Sequence, residues 1–470
     1  MGRILFIYFL FFVADFNFAQ TVYPSSKIKL LSVSNPNKDS TLLTGAKYSG
    51  CWGWYQENKN KEYALIGGTN GTYFIDITNP HTPIVCDYVA AKTNCIWREI
   101  KNYKNYCYVV TECGNGLQII DMKYLPDSVH VISTGTNVLT NSHTIWIEGN
   151  KLYCASLKMG LGNYSAVGVF SLLNPETPFF LRSINTDYNS IGAHDVYVRN
   201  DTLYVSDPGA GIQVLKYDTV SNKFYMLGAY LSYDKKGYNH SSFLTQNGKY
   251  LVFCDEIPEA VPIHLVDVNN LNNILPVSSF LPYPLTIPHN PYILGNDWAI
   301  ISCYQDGMHI YDISDPVNVK HVGFFDTYFQ AGFNQGAYSQ GYIGNWGVYP
   351  FLPSKTIIAN DMMNGAFFLD ASEVYATKST TVATQSEIIN DCALIYTIPA
   401  SKYIQIKVKA QVEGKIQICD PNGKIVFSKR YTDELNEKVN TENFPNGLYV
   451  ISIGGTECKV IKKILITHFE

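Results

Sequence analysis

Residues 194–206 read His194-Asp195-Val196-Tyr197-Val198-Arg199-Asn200-Asp201-Thr202-Leu203-Tyr204-Val205-Ser206. Apolar residues alternate on either side of a polar turn at Arg199 to Thr202, which predicts two antiparallel strands. The opening phrase recurs along the chain with a lead residue that is Trp, Arg or His. The copies are Trp52-Gly53-Trp54, Arg98-Glu99-Ile100, His143-Thr144-Ile145, His194-Asp195-Val196, His240-Ser241-Ser242, His289-Asn290-Pro291 and Trp346-Gly347-Val348. Their spacings are 46, 45, 51, 46, 49 and 57 residues. A period of about 45 residues built from short strands predicts a β-propeller with one blade per copy.

Each copy continues with a third strand that ends in an acid and a turn, as in Gly71-Thr72-Tyr73-Phe74-Ile75-Asp76-Ile77-Thr78-Asn79-Pro80 and Gly307-Met308-His309-Ile310-Tyr311-Asp312-Ile313-Ser314-Asp315-Pro316. Proline fixes φ and withholds an N–H, so the strand stops there. A fourth strand such as His321-Val322-Gly323-Phe324-Phe325 leads to the next blade. The expectation is an all-β, seven-bladed ring from about Ser49 to Asp370. The last copy lacks an outer strand of its own. The spare strand Lys27-Ile28-Lys29-Leu30-Leu31-Ser32-Val33 is expected to supply it, closing the ring and hiding two sheet edges.

Outside the repeats, Arg3, the apolar run Ile4 to Val13 and Asn17-Phe18-Ala19 before Gln20 read as an export signal over residues 1–19. The run is too short to span a bilayer, and no other segment is long and apolar enough. Residues 20–375 form the expected propeller. Ala376 to Ser386, rich in Thr and Ser, reads as a linker, and 387–470 as a small β-sandwich-like domain. A net charge of -5 and a pI of about 6.1 argue against nucleic acid as a partner. Aromatics at 14% against 16% charged residues suit half-buried strands. Eleven cysteines in an exported chain leave room for one or two disulfides, while Cys107 and Cys154 sit in apolar strands as small hydrophobes.

The phrases Phe74-Ile75-Asp76-Ile77-Thr78-Asn79-Pro80 and Ile310-Tyr311-Asp312-Ile313-Ser314-Asp315-Pro316 resemble the LVIVD repeat of bacterial propellers. Residues 45 to 372 as a whole resemble the secreted choice-of-anchor B family. That resemblance rests on Trp97-Arg98-Glu99-Ile100-Lys101, His240-Ser241-Ser242-Phe243-Leu244, Asp255-Glu256, Gly323-Phe324-Phe325-Asp326-Thr327-Tyr328 and Trp346-Gly347-Val348-Tyr349-Pro350-Phe351. It implies fold and location but no chemistry. The tail resembles the type A sorting domain of the type IX secretion system of Bacteroidota, through Gln417-Ile418-Cys419-Asp420-Pro421-Asn422-Gly423-Lys424-Ile425-Val426, Phe444-Pro445-Asn446-Gly447-Leu448-Tyr449-Val450 and Lys462-Lys463-Ile464-Leu465-Ile466. Tyr396-Thr397-Ile398-Pro399-Ala400 stands where that family has Pro-Asn-Pro. The implied partner is the secretion machinery. The implied route runs through the periplasm to the medium or the outer cell surface.

In a propeller the first strand of each blade lines the channel, and the second runs back beside it. The start of one and the end of the other therefore share a face. This gathers Trp52, Arg98, Glu112, His143, His194, Asp207, His240, Asp255, His289, Asp306, Trp346 and Asp361 at one expected channel mouth. Imidazoles beside carboxylates suit a divalent metal. The same mixture suits an extracellular glycan, peptide or protein ligand, and polar lead residues would equally hydrogen-bond neighbouring blades. Asp255 and Glu256 are adjacent on a strand, so one of the two is expected to face the channel. His81, His130, His264, His309 and His321 share no blade position. Asp76, Asp121, Asp267, Asp312 and Asp370 are expected to cap turns. Gly114-Asn115-Gly116 and Gly209-Ala210-Gly211 open no helix, which leaves them as hairpin turns rather than phosphate loops. No Gly-x-Ser-x-Gly or Cys-x-x-Cys motif is present. The function expected from these readings is an exported, monomeric binding module. The alternative is a metal-dependent hydrolase or lyase with its site at the same mouth.

Overall fold

The computed structural model describes residues 23–37, 45–160, 162–330, 342–379, 393–398, 403–408, 413–420, 423–445, 447–455 and 459–466. The chain divides into two compact units, Met1–Ser372 and Glu373–Glu470. The expected export signal lies outside the described residues.

In the first unit the described residues form seven successive antiparallel sheets. The first runs through Tyr48–Gln56, Lys61–Gly68, Gly71–Asp76 and Ile84–Ala90. The first strands of the next five are Arg98–Tyr103, Thr144–Glu148, Asp195–Arg199, Asn239–Leu244 and Pro291–Leu294. The last sheet begins with Asn345–Tyr349. Each sheet packs against the next, and the last packs against the first. One apolar cluster joins Tyr48, Ile66 and Ile75 of the first sheet to Ile358, Ala366 and Phe368 of the last. The result is a closed β-propeller ring whose sheets bury alternate residues on both faces.

The last sheet contributes Ile357–Asp361 and Gly365–Asp370 behind its first strand. Its outer position is filled by Lys29–Ser34, which pairs from Lys29↔Asp370 to Ser34↔Ala366. The N-terminal segment therefore completes the sheet that ends the ring, through Lys29–Ser34. It also does something the sequence did not announce: Ser25 and Ser26 pair with Phe325 and Phe324 as a fifth strand on the preceding sheet. The segment thus bridges two neighbouring sheets.

Turn chemistry follows the sequence. The carboxyls of Asp76, Asp121, Asp267, Asp312 and Asp370 each accept the N–H two residues on, at 2.7–2.9 Å. Gly116 has φ +73°, and a side chain there would meet the Gly135 carbonyl at 2.0 Å. Among the described residues one disulfide forms, Cys95–Cys113. It ties the segment entering the second sheet to that sheet's second hairpin. Cys107 and Cys154 are fully buried thiols.

A helix, Ser372–Ser379, follows the last strand. It occupies the start of the linker expected from Ala376; residues 380–386 lie outside the described residues. In the second unit, Ala393–Ile398, Tyr403–Val408 and Leu435–Asn440 form one sheet. Ile425–Tyr431, Gly414–Cys419, Gly447–Gly455 and Lys459–Ile466 form another. Ile404, Ile406 and Val439 from one share a core with Ile416, Ile418, Tyr449 and Ile451 from the other. Among the described residues no helix is long and apolar enough to cross a membrane.

Candidate functional site at the channel mouth

Four lead histidines meet as the period predicts. Ring centroids lie 4.0 Å apart for His143 and His194, 4.3 Å for His194 and His240, and 4.2 Å for His240 and His289. Trp346 continues the arc 4.4 Å from His289, and Trp97 stacks on Trp346 at 4.9 Å. From His143 to Trp346 the arc spans 203 positions in order while its members are consecutive around the ring, which is why no local stretch shows the cluster.

Neighbouring sheets are joined mainly through the lead residues' backbone. Thr144 Oγ1 donates to the His194 carbonyl at 3.3 Å and Ser241 Oγ to the His289 carbonyl at 2.6 Å. Asn290 Nδ2 and Ser302 Oγ both donate to the Trp346 carbonyl at 3.1 Å. Ser49 Oγ reaches the Arg98 carbonyl at 3.2 Å, and Asn360 Nδ2 the Ser49 carbonyl at 2.7 Å. Three of the four imidazoles add a ring contact to an adjoining sheet: His143 Nδ1 to Glu112, His194 Nδ1 to the Tyr238 hydroxyl and His289 Nδ1 to the Trp346 carbonyl.

That last pair of bonds corrects one assignment. Ser49, not Trp52, occupies the lead position of the first sheet. An irregularity between Tyr48 and Cys51 shifts the register there, as bulges at His240 and Trp346 do in their sheets. Trp52 belongs to a deeper layer, three residues after each lead: Trp52, Lys101, Trp146, Tyr197, Phe243, Tyr292 and Tyr349. Within it Trp52 lies 4.7 Å from Tyr349, Trp146 4.9 Å from Tyr197, and Tyr197 4.5 Å from Phe243. Lys101 Nζ sits 4.3 Å from the Trp52 ring centre and pairs with Glu99. Arg98 also turns away from the mouth: its Nε donates to the Gly68 carbonyl of the preceding sheet at 2.9 Å. Burial draws its pKa down to about 10.

The second-strand acids divide. Glu112 reaches the mouth and pairs with His143 Nδ1, which holds its carboxyl below the usual range. Asp207, Asp255 and Asp361, expected beside it, turn into backbone instead, and Asp306 turns to a neighbouring hydroxyl. Asp207 accepts the N–H groups of Gly192, Gly209 and Ala210 at 2.9–3.1 Å. Asp255 accepts Gly237 N at 2.6 Å, Asn239 Nδ2 at 2.9 Å and the Tyr233 hydroxyl at 3.1 Å. Asp306 accepts the Thr286 hydroxyl at 2.6 Å. Asp361 accepts the Thr327 hydroxyl at 2.7 Å and the Met363 and Asn364 N–H groups at 2.8 Å. Unpaired N–H groups of tight crossovers compete for these carboxylates and win. Of the adjacent acids, Glu256 faces the channel rather than Asp255.

Glu256 Oε1 accepts the Tyr304 hydroxyl at 2.6 Å and lies 4.0 Å from His289 Nε2. Burial pushes its carboxyl up against that hydrogen bond. Burial also pushes His194, His240 and His289 well below the usual imidazole range, so their rings are neutral. His194 Nδ1 meets the Tyr238 hydroxyl at 3.0 Å, and its Nε2 has no partner. A cavity of about 300 Å³ opens over the arc, bordered by Trp97, Glu112, Tyr238, Glu256, Tyr304 and Tyr342 as well as His143, His194 and His240; His289 lies behind its wall. Below it an enclosed space of about 40 Å³, room for a water or so, separates the arc from the aromatic layer. Trp97, Tyr238 and Tyr304 lie outside the lead positions, and sequence reasoning missed them. The deeper layer falls at an offset of three from six of the leads read in the sequence, whereas Trp52 reads as a lead itself, which hides its place.

Residues 394–467 match the secretion system C-terminal sorting domain family, which indicates export by the type IX secretion system. No curated protein matches the chain. Among solved structures the chain is similar to PorZ, an essential bacterial surface component of the type IX secretion system of Porphyromonas gingivalis, at 11% identity and a TM-score of 0.45. That similarity covers 87% of this chain and 58% of PorZ. The chain thus spans little over half of PorZ's length. The β-propeller domain of Cps50 (Swd1) from Myceliophteria thermophila is similar at 8% identity and a TM-score of 0.49, covering 73% of this chain and 98% of that one. Hydrazine synthase of Kuenenia stuttgartiensis is similar at 13% identity and a TM-score of 0.48, covering 72% and 98%. All three TM-scores are too low to carry a function to this chain. What the coordinates and the tail define is an all-β exported protein, a propeller ring followed by a sorting domain.

Proposed function

We propose that the protein is a seven-bladed propeller of the LVIVD, choice-of-anchor B kind that is delivered outside the cell and recognises an extracellular glycan or peptide at its channel mouth. The single observation that carries this reading is the arc of imidazoles with unpartnered nitrogens beneath an open cavity rimmed by Trp97, Tyr238 and Tyr304. Unpaired buried donors and acceptors cost about 1–3 kcal/mol each, so a mouth built this way favours a polar occupant. Aromatic rims supply stacking area for a sugar or peptide face. Recognition is tested by a glycan and peptide array probed with the full chain and with Trp97→Ala. The expected result is a discrete ligand lost in the variant, and an array with no ligand would sink the reading.

The tail supplies the delivery half. A chain ending at Ala376 should remain in the periplasm with its propeller folded. Normal appearance of that truncation in the medium or on the cell surface would refute the tail's role.

A further inference from the structure

The arc contains a donor set that suits a metal ion. A ring nitrogen of His240, one of His289 and a carboxylate oxygen of Glu256 lie within 4.8 Å of one another, and all three residues are buried. Nδ1 of His289 lies 2.5 Å from the Trp346 carbonyl. Asn290 Nδ2 lies 2.9 Å from the same Nδ1 and donates to the Trp346 carbonyl as well; the shorter contact is to an atom that only accepts, which places the proton on Nδ1 and the lone pair on Nε2. That Nε2 has no hydrogen-bond partner among the described residues, nor has Nδ1 of His240. Glu256 is oriented from behind by the Tyr304 hydroxyl. Ligand histidines elsewhere are fixed in the same way, by a carbonyl or carboxylate on the far ring nitrogen.

We infer that His240, His289 and Glu256 hold one divalent transition-metal ion of the zinc class, with a coordination position left open toward the cavity. This deepens the reading of the mouth as a recognition site, on which it rests: the open position would take an electron pair from a carboxylate or hydroxyl of the bound ligand. Zinc bonds of about 2.0–2.2 Å place tetrahedral ligands about 3.3 Å apart. The donors, 4.0 Å apart for His289 Nε2 and Glu256 Oε1 and within 4.8 Å for all three, would draw together on binding. Two imidazoles with one carboxylate disfavour calcium and magnesium, which take oxygen. The absence of a thiolate disfavours copper(I). His194, whose Nε2 is also unpartnered, stands next along the arc as a positioning neighbour.

The test uses the full chain purified without chelator, stripped, and titrated with zinc and with cobalt(II). The expected outcome is one equivalent bound, with a visible cobalt spectrum of a low-coordinate nitrogen and oxygen site. His289→Ala and Glu256→Gln should each weaken binding by at least the roughly 10–100-fold seen when even an outer-shell partner is removed. His81→Ala, on an exposed turn, should leave it unchanged. Glu256→Gln keeps an oxygen for the Tyr304 hydroxyl and so guards against simple misfolding. Failure of the native chain to bind zinc or cobalt overturns the proposal, as does full retention in the two folded variants. A chain that binds no metal but still loses an array ligand on Trp97→Ala overturns the metal alone and leaves the recognition site standing. A chain that binds metal and finds no array ligand upholds the metal and removes the recognition reading.

Discussion

The lead histidines and the second-strand aspartates come from equivalent repeat positions, yet the ring treats them in opposite ways. His194, His240 and His289 each keep a ring nitrogen without a hydrogen-bond partner among the described residues, and His194 and His240 border the cavity. Asp207, Asp255 and Asp361 spend their oxygens on backbone N–H groups of crossovers and turns. The difference teaches where function and architecture part. A lead histidine that joins sheets through its backbone and at most one ring nitrogen keeps the other nitrogen free, while a carboxylate next to a tight turn is consumed by it. The mouth is therefore expected to tolerate substitution in stability and fail in binding, and the aspartates the reverse.

Three measurements would break or sharpen that contrast. The largest effect is expected from Asp255→Ala. It strands Gly237 N, Asn239 and Tyr233, each buried donor costing about 1–3 kcal/mol, so the propeller's urea transition should fall by about 3–5 kcal/mol. A loss below about 1 kcal/mol would remove the architectural role.

Asp361 should set a pH dependence of intermediate size. Its carboxyl is fully buried and raised to about 7, above the 3.8 of the unfolded chain. The folded chain thus holds a proton that the unfolded chain gives up. Stability from this group is complete below about pH 4 and is lost as pH rises to about 7, a change on the order of 4 kcal/mol. Asp326 nearby, raised to about 6, acts in the same direction. Asp361→Asn should flatten the stability profile between those pH values; a profile as steep as that of the native chain would contradict the assignment. His194→Ala should have the smallest effect, under about 1 kcal/mol, because it removes a ring with an unpaired nitrogen at the edge of a cavity. A loss of several kcal/mol on unfolding would make the arc structural after all.

How much of this could be read beforehand differs from residue to residue. The convergence of His143, His194, His240 and His289 was legible because equivalent repeat positions share one axis. Closure by the N-terminal strand was legible because a spare strand preceded a sheet that lacked one. Trp52 was assigned to the wrong layer: Trp52-Gly53-Trp54 looks more like the other copies than Ser49-Gly50-Cys51 does. Nothing in the residue types marks the irregularity between Tyr48 and Cys51 that shifts it. Asp255 was preferred to Glu256 for a similar reason. Strand alternation says that one of the two faces inward, and only the bulge at His240 decides which. Tyr304 reaches Glu256 from the next sheet, 48 positions away. That contact has no local signature.

Periodicity, turn residues and the tail's phrases are properties of order along the chain, so reading them needs no coordinates. They determined an all-β propeller ring and a sorting domain behind it. Bulges, crossovers and sheet-to-sheet packing belong to three-dimensional register. They alone decided which side chains hydrogen-bond to backbone and which stand unpaired at the mouth, because a shift of one residue on a strand turns a side chain from one face to the other.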